Sequence, residues 1–136
     1  MEEVQEHAGV SFTNCQMMAG VEVMETNKGP VKFTSTGFWP IPETGSQAIL
    51  KGTGHVFFEG CHFSGWDVGK NGVPCLDVRA GGITVTGCDF MEAGKKQIVL
   101  GEAVEAAVVS SNRFRGGQKI DNNASGDVQI GLNVMK

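Results

Sequence analysis

The stretch ITVTGCDF, Ile83 to Phe90, returns in altered form along the chain. VSFTNCQM begins at Val10, VKFTSTGF at Val31, VFFEGCHF at Val56, AVVSSNRF at Ala107 and VQIGLNVM at Val128. The starts are 21, 25, 27, 24 and 21 residues apart. Self-similarity at a period of about 20–50 residues marks a stacked-repeat architecture, in which each copy buries its apolar face against its neighbours.

Positions one and three of each copy are apolar: Val10 and Phe12, Val31 and Phe33, Val56 and Phe58, Ile83 and Val85, Ala107 and Val109, Val128 and Ile130. A period of two describes a strand with one buried face. Position eight is apolar again, as Met17, Phe38, Phe63, Phe90, Phe114 and Met135. The phase therefore shifts between positions three and eight, which requires a bend at positions four to six. Position six reads Cys15, Thr36, Cys61, Cys88, Asn112 and Asn133, all small and able to hydrogen-bond. Stacked about 4.8 Å apart, such groups satisfy backbone atoms at a tight corner.

A second short apolar run lies between the copies: VEV from Val21, AIL from Ala48, LDV from Leu76, IVL from Ile98 and KID at Lys119 to Asp121. Each coil is thus expected to hold three short strands and three corners. Helical periodicity is unconvincing throughout; Glu102 to Val109 is the one candidate run, and the repeat phase claims its end. The expected fold is all-β: a right-handed, single-stranded parallel β-helix of about five to six coils of 21–27 residues. The bend and its ladder of small residues resemble the asparagine-ladder corner of the pectate-lyase-like superfamily, in C-terminal-type coils. The resemblance covers Val10 to Met135 and departs from the commoner pattern in its mostly Cys ladder. It implies the fold. It says little of the reaction, because that superfamily includes lyases, glycoside hydrolases, esterases, epimerases and phage tailspikes.

The chain of 136 residues has room for one core, so residues 1–136 are expected to form a single β-helix domain, with 10–135 as coils and 1–9 as a short cap or tail. Twenty glycines suit a chain that turns a corner every few residues. A net charge of −4 argues against nucleic acid as the main partner. No run of 18 apolar residues suggests a membrane span. The start MEEVQEHAG is acidic and lacks the apolar stretch of a signal peptide. The resembling superfamily is often secreted, so the compartment stays open. Incompletely capped coil ends favour either a homo-oligomer or the remainder of a larger chain.

Three of the four cysteines share the inward ladder position, where a thiol packs as a small hydrophobe. Free stacked thiols are expected, although Cys61 and Cys88 stand on consecutive coils, within reach of a bond. No CxxC or paired-His spacing offers a metal site, His7, His55 and His62 being scattered.

Stacking converts distant residues into rows, and two rows could carry chemistry. Position seven reads Gln16, Gly37, His62, Asp89, Arg113 and Val134. A His62–Asp89–Arg113 file could relay protons, but a solvated polar face with a weak surface ion pair is the simpler reading. The second row is the variable loop after position eight, where function is often carried on a rigid scaffold. It contains Trp39 and Trp66, expected as near neighbours, then Lys95, Lys96, Arg115 and Lys119. Trp rings beside a basic strip suit an anionic polysaccharide; loop packing and ordinary solubility are the plainer readings of the same residues. Asp77 and Arg79 share the outer face of LDV, with Glu22, Gln97 and Asp121 expected beside them.

In the resembling superfamily this strand and its loops form the substrate cleft. Its lyases use a Lys or Arg base, often with calcium on acidic residues, and its hydrolases use clustered Asp. Here Asp77 and Asp121 stand two coils apart, roughly 10 Å, and no DD, NTD or RIK-like string occurs. The first expectation is a carbohydrate-associated module, without catalysis or cofactor, that binds polysaccharide or forms a structural segment of a larger carbohydrate-active protein. The alternative is a short or truncated lyase or glycoside hydrolase on an anionic polysaccharide, with Asp77, Arg79 and Asp121 as weak catalytic candidates and calcium as its cofactor. A pure assembly module is a third reading.

Overall fold

The computed structural model describes residues 8–39 and 45–136; most of the expected 1–9 cap and part of the loop after Trp39 lie outside them. Every coil pairs with the next in the register of the eight-letter pattern. Val10 stands beside Val31, Val31 beside Val56, Val56 beside Ile83, Ile83 beside Ala107 and Ala107 beside Val128, all in parallel. The result is a parallel β-solenoid of about five turns, with no helix among the described residues. The Glu102 to Val109 run is strand, inside Ile98–Ser110.

Three rows of strands make the walls. The opening residues of the pattern form the first row. Positions seven and eight form a separate five-stranded sheet of two-residue strands, Gln16–Met17, Gly37–Phe38, His62–Phe63, Asp89–Phe90 and Arg113–Phe114. The third row is Val21–Val23, Ala48–Leu50, the start of Leu76–Thr86, the start of Ile98–Ser110 and Ile120–Asn122. The last of these begins at Ile120, one residue later than the KID reading, because Ile120 rather than Lys119 stands beside Ile98.

The bend has a backbone cause. Position five is left-handed in every copy: Asn14, Ser35 and Gly60 at φ 55, 50 and 64°, then Gly87, Ser111 and Leu132 at 64, 61 and 58°. One such residue turns the chain sharply and lets position six point inward. There the ladder closes on carbonyls. Cys61 Sγ donates to Phe33 O at 3.3 Å and Cys88 Sγ to Phe58 O at 3.4 Å, while Asn112 Nδ2 donates to Val85 O at 2.9 Å. All four cysteines are free thiols.

Inside, two columns of phenylalanine run along the axis. Phe12, Phe33 and Phe58 stack at 5.1 Å between centroids, and Phe38, Phe63, Phe90 and Phe114 follow at 4.9, 4.7 and 5.0 Å. Burying each ring contributes about 2–3 kcal/mol, against about 1 kcal/mol net for a corner hydrogen bond. The columns therefore dominate stability and the ladder sets the register. Packing of the inward positions thins in the outermost described coils, where Val10 is 53% and Met135 43% exposed.

A second inward ladder occupies the corner before the third row. Gln47, Cys75 and Gln97 are all buried. Gln47 Nε2 donates to Trp39 O at 3.0 Å, and Cys75 Sγ to Gln47 Oε1 at 3.5 Å. Gln97 Nε2 donates to Gly117 O at 2.9 Å. Gln97 is thus not on the outer face with Asp77, as its distance along the chain suggested. It precedes Ile98, a buried residue at the start of its strand, at a corner where strict alternation no longer holds.

Candidate functional site

Three outward surfaces carry the candidate residues. On the third row the register aligns Glu22, Ile49, Asp77, Val99 and Asp121. Asp77 and Asp121 are therefore separated by a whole coil bearing valine. Each acid has its own cation. Arg79 Nε and Nη2 donate to Asp77 Oδ2 at 3.1 and 3.0 Å, and Lys96 Nζ lies 2.8 Å from Asp121 Oδ2. Lys51 hydrogen-bonds Glu22 and holds its carboxyl below the usual carboxylate range. A neutralised acid on alternate coils is a poor start for paired-carboxylate chemistry, which needs one acid protonated and one free across a common bond. Among the described residues no group of three or more His, Cys, Asp or Glu could hold a metal ion.

The second surface is a groove of about 460 Å³ between neighbouring loops, lined by Lys70, Lys95, Lys96 and Lys119 with Asp67, Gly72, Ala93 and Gly94. Asp67 anchors its wall. Its carboxylate accepts from the backbone N–H of Asn71 at 2.8 Å and of Gly72 at 3.0 Å, folding the loop into a compact turn. Two of the lysines are held by main chain: Lys95 Nζ donates to Trp66 O at 2.7 Å and Lys119 Nζ to Gly94 O at 3.1 Å. Lys95 Nζ also lies 3.8 Å from Glu92 Oε1; each ammonium carries three donors, so these contacts fix the groups and leave donors for an anion. Lys70 was not among the residues singled out from sequence; its loop joins the strip only through the fold.

Trp66, expected to share this surface, does not face solvent. Its ring is fully buried, its indole N–H donates to Lys96 O at 2.9 Å, and it meets Phe90 edge-on at 6.2 Å. It anchors the long loop against the coil and offers no face to a ligand.

The third surface is the outer face of the five-stranded sheet. Here Gly37, His62, Asp89 and Arg113 are register neighbours, as the position-seven row required. Trp39 follows Phe38 directly and so points outward, 38% exposed. Its indole N–H donates to Gln16 Oε1, and its ring meets the His62 imidazole edge-on at 5.1 Å. Arg115 also lies here, away from the lysines, with Nη2 donating to Asp89 Oδ2 at 3.0 Å. Arg113 Nη1 lies 3.7 Å from the same oxygen. The expected single strip is therefore two surfaces: lysines around the groove, and Trp39 with Arg115 on the sheet.

Among the buried thiols, the contact with Cys88 lowers Cys61 below its ordinary value, but Cys61 is 2% exposed and out of reach of a substrate. Burial pushes the Cys75 thiol well above its ordinary value, and the Cys61 contact followed by burial does the same to Cys88. Compared with protein-family models, curated proteins and solved structures, the chain finds no match.

Proposed function

We propose that this chain is a non-catalytic, carbohydrate-associated β-helix module of the right-handed pectate-lyase-like type, binding an anionic polysaccharide in the lysine-lined groove. The observation that carries this reading is the convergence of Lys70, Lys95, Lys96 and Lys119 on one groove. Two of those ammonium groups are steadied by backbone carbonyls. Ammonium groups held in place bind carboxylate or sulfate substituents through charge-assisted hydrogen bonds. The acids around the groove favour binding over turnover, since Asp67 is taken up by the backbone N–H groups of Asn71 and Gly72, Asp121 by Lys96 and Asp77 by Arg79.

The test is an array of uronate-containing, sulfated and neutral polysaccharides. It is read for retention and for release of reducing or unsaturated ends, with and without calcium. Retention of anionic glycans without release, weakened in Lys95→Ala and Lys119→Ala, is the expected result. Release of new ends, abolished by Asp77→Asn, would replace this reading with a lyase or hydrolase.

A further inference from the structure

The outer face of the five-stranded sheet is built more elaborately than a solvated surface requires. Trp39 is fixed by residues from the coils on either side, Gln16 before it and His62 after it. That arrangement depends on Gly37. A Cβ there would come within 2.6 Å of His62 Nε2 and 2.7 Å of Gln16 Oε1, so the missing side chain is what lets both groups close over the strand toward the indole. Holding a large aromatic ring in one pose while leaving it partly exposed gives up burial that a core position would have provided.

Farther along the axis, Asp89 and Arg115 form a polar pair with unspent capacity. Asp89 Oδ2 is engaged by both guanidinium groups, yet Asp89 Oδ1 and Arg115 Nε are buried without a hydrogen-bond partner. Those two atoms are covered by protein, so what the pair offers a ligand is the outer N–H groups of guanidiniums held by the carboxylate, donors that a hydroxyl oxygen accepts from. The Arg113 and Arg115 side chains are 45% and 37% exposed, so a ligand reaches their outer N–H groups without opening the core. Trp39 and Asp89 lie on coils two apart, roughly 10 Å along the axis, a span suited to a short run of sugar units.

We propose that this face is a second saccharide-binding site, distinct from the lysine groove, that takes a neutral oligosaccharide: the Trp39 ring stacks on the apolar face of one pyranose and the Asp89–Arg115 pair takes hydroxyls of a neighbouring unit. The carboxylate steadies the two guanidinium groups as donors, and the aromatic platform sets the orientation of the chain. Because the ligand is uncharged, the site does not depend on the anionic reading of the groove.

Tryptophan fluorescence is the direct probe, since Trp66 is buried and Trp39 is the indole open to a quencher. Neutral β-linked gluco-, xylo- and manno-oligosaccharides of two to six units are titrated into the intact protein, with acrylamide quenching measured at each step. The expected result is saturable protection of Trp39 by at least one of them. Its affinity should fall about tenfold or more in Trp39→Ala and in Asp89→Asn, and stay unchanged in Lys95→Ala and across a salt titration. Two results would overturn the proposal: no protection of the wild-type indole by any neutral glycan, or binding that persists undiminished in Trp39→Ala. Protection by a protein ligand alone would assign the face to a protein partner instead. Loss of anionic binding with neutral binding intact would fault only the groove.

Discussion

Asn133 and Asn112 stand one coil apart, and the Oδ1 of Asn133 accepts both the backbone N–H of Asn112 at 3.0 Å and its side-chain N–H at 3.2 Å. Asn112 repeats the gesture one coil back, accepting the backbone N–H of Cys88 at 2.9 Å and donating to Val85 O. The amide thus joins three coils, whereas the Cys61 and Cys88 thiols each donate to a carbonyl of the preceding coil. Replacing Asn112 by Ala strands a buried donor and a buried acceptor, at about 1–3 kcal/mol each. Urea unfolding should show a loss of about 2–6 kcal/mol, with Asn112→Cys losing less because a thiol still reaches the carbonyl.

The left-handed corner residue predicts a stabilising change. Leu132 adopts φ 58° with its side chain almost wholly in solvent. A left-handed L-residue with a Cβ costs roughly 1–2 kcal/mol. Leu132→Gly recovers most of that and loses part of it to the greater freedom of the unfolded chain. A net gain of about 0.5–1 kcal/mol in thermal or urea unfolding is expected. Gly87→Ala, at φ 64°, should move the other way.

The two tryptophans should separate cleanly in stability. Trp66 is fully buried with its N–H bonded to Lys96 O, so Trp66→Ala should cost about 3–5 kcal/mol. Trp39→Ala removes a ring already partly in water and should cost about 1 kcal/mol or less. Matched denaturation curves of the two variants check this.

Stability should also fall in mild acid through His55. Burial pushes its imidazole below the ordinary value of 6.5, and its Nε2 lies 2.7 Å from Thr84 Oγ1. The unfolded chain then binds more protons than the folded one as pH drops below 6.5. The stabilisation is complete above the unfolded value and is lost as pH falls through the lower folded value. Urea midpoints measured between pH 7.5 and pH 5 should decline in the wild type and decline less in His55→Gln.

Much of the scaffold was legible because its signal repeats. The alternation of Val56 with Phe58, and of Ile83 with Val85, fixed which residues face inward, and stacking then reproduced the same register coil after coil. The turn was legible at Gly60 and Gly87 but not at Leu132, where neighbouring coils impose a conformation that leucine itself disfavours. The Gln47–Cys75–Gln97 ladder escaped notice because it flanks runs of three residues, too short to declare a phase. The candidate site suffered most. Trp39 and Trp66 carry the same loop signal, yet Trp39 is adjacent to inward Phe38 and must point out, whereas Trp66 follows Phe63 by three residues, after the chain has left the strand. Counting one position past each inward phenylalanine would have separated them and placed Arg115 with Trp39, away from the lysines.

Salt dependence tests the proposed binding of an anionic polysaccharide, without turnover, in the lysine groove. The most direct measurement is the affinity for a uronate polymer as a function of salt, in the wild type and in Lys119→Ala, with end-group release followed in the same samples. Binding should weaken steeply with salt, with a shallower salt dependence and lower affinity in Lys119→Ala, and no ends should be released. Binding indifferent to salt and to Lys119, or release of ends at any salt concentration, would contradict that proposal.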